Sequence, residues 1–128
     1  MILITGGAYH GKRNYAKQMY LGIDFVDGIS CAEETIFACQ GMDHFHSYIE
    51  NRMREGKKLP ELLKIVEKLK CENSEIVLIT DEIGYGIVPT DAFYREYRET
   101  HGRVCTQIAA EAKEVHRVIC GIGTVIKG

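Results

Sequence analysis

The chain has 128 residues, 45% of them hydrophobic and 27% charged, with a formal net charge of −2. Length and composition fit one folded domain, residues 1–128, and exclude a disordered or fibrous protein. The near-neutral balance offers no footprint for nucleic acid or a membrane surface, and the N-terminus lacks a signal-peptide pattern, so a cytoplasmic protein is expected.

Residues 1–5 (MILIT) form a continuous apolar run ending at Gly-Gly, the pattern of a strand buried on both faces. Residues 12–20 read as a helix, and residues 23–26 as a weak second strand stopped by Asp27-Gly28. A polar helix is expected over 43–54, with Phe45, Tyr48, Ile49 and Met53 on one side. A second helix starts near Pro60 and carries the stripe Leu59, Leu62, Leu63, Val66 and Leu69. Residues 75–80 (EIVLIT) are the clearest strand and lead into Asp81-Glu82 and a glycine-rich loop over 83–89. Two helical stretches, 92–97 and 104–112, are expected to meet near Gly102. A last strand covers 115–120, followed by a short tail. Strands alternating with helices predict an α/β protein: a three-layer fold with a mostly parallel central sheet, of the P-loop NTPase-like kind. Five cysteines, none in C-x-x-C spacing, read as reduced thiols.

The chemistry is concentrated in Gly6-Gly7-Ala8-Tyr9-His10-Gly11-Lys12, which fits G-x-x-x-x-G-K between a strand and a helix. The glycines let successive amides turn into one hollow, the following helix adds its positive N-terminus, and Lys12 reaches the β- and γ-phosphates. A structural turn is the bland alternative. Tyr9 would stack over the site or cover it, and His10 would touch the nucleotide for binding rather than chemistry. The position after Lys12 should carry a hydroxyl for Mg²⁺, but it is Arg13. A guanidinium has only donors and cannot ligate a cation, although it can pair with phosphate. Mg²⁺ use is therefore in question, while nucleotide binding is not. Asp81 and Glu82, at the carboxyl end of a parallel strand, are the candidate metal acids; capping the loop or facing solvent is the alternative.

Together these pieces resemble the adenosylcobinamide kinase/adenosylcobinamide-phosphate guanylyltransferase family. The carriers are the opening MILITGGAYHGKRNYA, the segment ITDEIGYGIVPTDAFYREYRETHGRV over 79–104, and the alanine-rich helix, apolar strand and Gly-Ile-Gly turn over 109–127. The resemblance implies a nucleotide-binding protein of cobalamin biosynthesis that uses ATP or GTP as substrate and acts on a cobinamide corrinoid as a symmetric homo-oligomer. It places Lys12 and Glu82 in catalytic roles. It also assigns nucleotide contacts to Gly6 through Arg13 and, more loosely, to Gly28, Ile29 and Ser30.

The family's guanylylated histidine lies in a helix shortly before an Arg-Pro, and the stretch matched to it here, residues 51–57, has none. His44 and His46 lie upstream and are either a displaced nucleophile or surface residues; their i, i+2 spacing argues against a shared metal. The family's acidic central strand and the helix after it are expected to be missing. The basic run Arg52, Arg54, Lys57 and Lys58 is read as a solvated face, with phosphate contact as the alternative. A shortened transferase that has lost guanylyl transfer is expected; a non-catalytic nucleotide- or partner-binding relative is the alternative.

Overall fold

In a computed structural model that describes residues 1–83 and 90–128, the chain forms a sheet with helices on both faces. The order is β1 (Ile2–Gly6), α1 (Lys12–Met19), β2 (Phe25–Asp27), a 3₁₀ helix (Glu33–Phe37), β3 (Gly41–Asp43), α2 (Phe45–Arg54), α3 (Leu59–Glu72), β4 (Val77–Asp81), α4 (Ala92–Glu111), β5 (Glu114–Ile119) and β6 (Ile122–Lys127). Among the described residues six strands form one sheet, ordered β2-β3-β4-β1-β5-β6. Neighbours are parallel except β5 and β6. This is the P-loop NTPase-like three-layer α/β arrangement expected from the sequence.

The strand period of two decides what each face meets. Leu3 of β1 and Leu78 of β4 join Phe45, Tyr48 and Ile49 of α2, Leu62, Val66 and Leu69 of α3, and Val104 and Ile108 of α4. Ile2, Ile4, Val77 and Ile79 point the other way, onto Ala16 of α1 and Val118 of β5. Burying each such side chain contributes about 1.5–3 kcal/mol, and the central pair β1–β4 is buried from both sides.

Several boundaries differ from the sequence reading. β3 is a strand of three residues with no alternation to reveal it, so Asp43 ends a strand and the helix begins only at Phe45. An acid-ended strand followed by two helices thus stands ahead of β4, as β3, α2 and α3. β2 and β3 are joined by residues 28–40, built around the 3₁₀ helix. α4 runs unbroken through Gly102, because Tyr97, His101, Val104 and Ile108 form one buried stripe that outweighs the roughly 1 kcal/mol helix penalty of glycine. The expected tail is β6, joined to β5 by a two-residue turn in which Cys120 (φ 52°) and Gly121 (φ 76°) are both left-handed, as a primed hairpin turn requires. Among the described residues no helix is long and apolar enough to cross a membrane.

Candidate functional site

The loop from Gly6 to Lys12 leaves the carboxyl edge of the sheet at its centre. Gly6 is pressed against β5: a Cβ there would lie 2.4 Å from the Val118 carbonyl oxygen. The His10 amide donates to Gly7 O at 3.3 Å and closes the turn, with Tyr9 (φ 62°) and Gly11 (φ 83°) left-handed. Lys12 curls back inside it. Its Nζ, on a side chain only 8% exposed, donates to Gly7 O and pairs with Asp81 Oδ1, both at 2.7 Å. Among the described residues, the amides of Lys12, Arg13 and Asn14 donate no hydrogen bond; they are the open first turn of α1.

These amides border a cleft of about 400 Å³. One wall is Ala8, Tyr9, Gly11, Lys12, Arg13 and Asn14; the other is Ile29, Asp43, His44, His46, Ser47 and Asp81. Three adjacent parallel strands, β2, β3 and β4, end in Asp27, Asp43 and Asp81, which gathers carboxylates where α/β sheets bind ligands. Each is engaged. Asp81 Oδ2 lies 3.4 Å from His46 Nε2, and the Asp81 amide donates to His46 Nδ1 at 3.1 Å. Since Nδ1 accepts, the neutral ring carries its proton on Nε2, facing Asp81. Burial holds the His46 pKa below its ordinary value despite the pull of Asp81.

Asp43 Oδ1 accepts the His44 amide at 2.8 Å, and its Oδ2 lies 3.8 Å from Arg13 Nη1 across the cleft. His44, left-handed at the start of α2 (φ 54°), turns its Nδ1 to Asp27 Oδ1 at 3.1 Å. Behind His46, Tyr97 donates to the His46 carbonyl at 2.7 Å, and buried His101 meets Thr80 Oγ1 at 2.9 Å.

The expected residues divide accordingly. Ala8, Tyr9, Gly11, Lys12, Arg13, Ile29 and Asp81 meet around the cleft, and the backbone of Gly6 and Gly7 shapes its floor. Tyr9 is fully exposed at the loop tip. His10 does not reach the cleft: its Nδ1 accepts the Cys120 amide and its carbonyl accepts the Gly121 amide, which ties the loop to the β5–β6 turn. Glu82 is likewise turned away, held by Arg117 Nε at 2.7 Å and Nη2 at 3.1 Å.

Gly28 backs the far wall. Its amide donates to Asp43 O, and a Cβ on it would strike His44 O at 2.4 Å. Ser30 donates to Asp27 O without lining the cleft. The core of the glycine-rich loop, residues 84–89, lies outside the described residues. The basic run is a solvated face at Arg54 and Lys58, with Lys57 half-buried and Arg52 buried; the four pair with Glu50, Glu96, Glu33 and Glu55 and do not line the cleft. His46 is no surface residue, and with Asp43 and Ser47 it belongs to the cleft unforeseen. The aspartate recurring at the ends of β2, β3 and β4 was the available signal.

The donor set does not fit Mg²⁺. Arg13 stands where a hydroxyl would ligate it and faces Asp43, and among the described residues no three His, Cys, Asp or Glu side chains are grouped so as to hold a metal ion.

Fold and loop together define a P-loop NTPase-like α/β protein. The chain belongs to the cobinamide kinase/cobinamide phosphate guanyltransferase family, which matches residues 26–126. It is 48% identical over 54 residues to the bifunctional adenosylcobalamin biosynthesis protein CobU of Escherichia coli (strain K12), a stretch covering 42% of this chain and 30% of that protein. The protein of the same name from Salmonella typhimurium (strain LT2) is 46% identical over 54 residues, with the same coverage. The chain thus aligns with under a third of these curated relatives' length.

Proposed function

We propose that this protein binds ATP or GTP by its phosphates in the cleft beneath Lys12 and transfers a phosphoryl group to the hydroxyl of a cobinamide-type corrinoid in cobalamin biosynthesis. The observation that carries this reading is Lys12 itself: a nearly buried ammonium at the mouth of a helix, paired with a strand-end aspartate from which phosphate can draw it. On arrival of the nucleotide, Lys12 moves to the phosphate oxygens. Asp81, still held by His46 on its other oxygen, becomes the carboxylate able to accept the acceptor hydroxyl's proton. Glu82, engaged by Arg117, fastens the end of β4 to β5. Guanylyl transfer is absent from this proposal because residues 28–40 and 51–57 contain no histidine. The family resemblance supports a cytoplasmic homo-oligomer.

Isothermal titration of ATP and GTP into the protein and its Lys12→Ala variant, followed by chromatography of products formed with cobinamide, tests the reading. Binding that Lys12→Ala abolishes, with nucleoside diphosphate and phosphorylated corrinoid appearing together, supports it. Binding without turnover would make the protein a non-catalytic nucleotide binder. No binding of either nucleotide overturns the proposal.

A further inference from the structure

We infer that Arg13 serves as the cleft's resident cation in place of a divalent metal, so that nucleoside triphosphate binds without Mg²⁺. This rests on the nucleotide reading above and specifies how the charge of its ligand is met. A triphosphate brings three to four negative charges, which P-loop sites usually offset with one lysine, the helix N-terminus and a metal held by the residue after the lysine. Here that residue is Arg13, whose guanidinium extends over the cleft to within 3.8 Å of Asp43 Oδ2. It lines the same cavity as Lys12, one residue along the first turn of α1.

The facing carboxylates do not form a cation site of their own. When Lys12 leaves for the phosphates, Asp81 keeps His46 on its other oxygen, and Asp43 keeps the His44 amide and Arg13. The contact with Asp43 is made from Nη1; the remaining N–H groups of the guanidinium can donate to two phosphate oxygens while that contact persists. Asp43 is 12% exposed and the Arg13 side chain 55% exposed, so a buried anion anchors a half-solvated cation that is free to meet a ligand entering from solvent. Asp43 is therefore a positioning residue, and its contribution through an ion pair this loose is at most about fivefold in affinity.

Titration of ATP, GTP and inorganic tripolyphosphate in EDTA and in excess Mg²⁺ tests the inference, with the wild type, Arg13→Ser, Arg13→Lys and Asp43→Asn, each checked for native circular dichroism. Wild-type affinity should agree within about twofold between the two buffers. In EDTA, Arg13→Ser should lose roughly ten- to hundredfold, the worth of a charge-assisted phosphate contact. Arg13→Lys, which keeps the charge but not the fork, should lose less than Arg13→Ser. Wild-type binding that is tenfold or more tighter with Mg²⁺, or an Arg13→Ser affinity in EDTA within about twofold of wild type, overturns the inference and leaves the nucleotide reading standing. Absence of binding in both buffers overturns that reading and this inference with it.

Discussion

His101 makes the stability of the fold depend on pH in a calculable window. It is 3% exposed on α4, bonded to Thr80 Oγ1 beside the strand end that carries Asp81. Burial, with the nearby His46, pushes its pKa down to about 4, against a partial opposite pull from Asp81. In the unfolded chain it titrates near 6.5. As pH falls from 6.5 towards 4 the unfolded chain takes up a proton that the folded protein refuses. Stability is therefore full above 6.5 and drains away across that interval. A gap from 6.5 to about 4, at about 1.4 kcal/mol per pH unit, amounts to about 3 kcal/mol. Guanidinium unfolding of wild type and His101→Gln between pH 7 and 4 measures it, since glutamine keeps a hydrogen-bonding group but cannot charge. The wild type should lose about 3 kcal/mol more than the variant over this range. His46, whose pKa is also lowered, adds a further slope in the same direction in both proteins. Curves that stay parallel within about 0.5 kcal/mol would refute the assignment of this slope to His101.

Gly28→Ala places a methyl group 2.4 Å from the His44 carbonyl oxygen and 3.0 Å from that of Asp43, both backbone atoms. The expected cost is about 1–3 kcal/mol, read as a lowered Tm together with weaker nucleotide binding in the same variant. Gly102→Ala acts oppositely: among the described residues no atom beyond its chain neighbours and its own helix backbone lies within 4 Å of the added Cβ, so a gain of about 0.5–1 kcal/mol should appear in chemical denaturation. Glu82→Gln should leave nucleotide affinity within about twofold of wild type, because its carboxylate serves Arg117 rather than the cleft, while unfolding reports a loss of no more than about 1 kcal/mol.

The central architecture was readable because each determinant was local. Apolar strands ending at glycine, the G-x-x-x-x-G-K turn and the stripe from Leu59 to Leu69 each declare themselves within a few residues. Where nonlocal forces decided, the reading failed. β3 exists because Gly41 and Met42 pair with β4 and are buried, and three residues carry no periodicity. β6 depends on Cys120 accepting a left-handed conformation, which a Cys-Gly pair does not advertise as Asn-Gly would.

The near wall of the candidate site was legible and the far wall was not. Asp43, His46 and Ser47 reach the cleft only because β3 lies between β2 and β4, a fact of sheet order. Glu82 and His10 were misplaced for a related reason: their partners, Arg117 and the Cys120 amide, come from the other end of the chain.

The most direct test of nucleotide recognition in this cleft is titration of the isotope-labelled protein with GTP and ATP, followed through assigned backbone amide resonances. The largest shifts are expected at Gly7, Ala8 and Tyr9, at Gly11 through Asn14, and at Asp43, His44, His46, Ser47 and Asp81, the residues that shape or line the cleft. Saturable shifts confined to another surface, or none in these segments at millimolar nucleotide, would contradict recognition in this cleft.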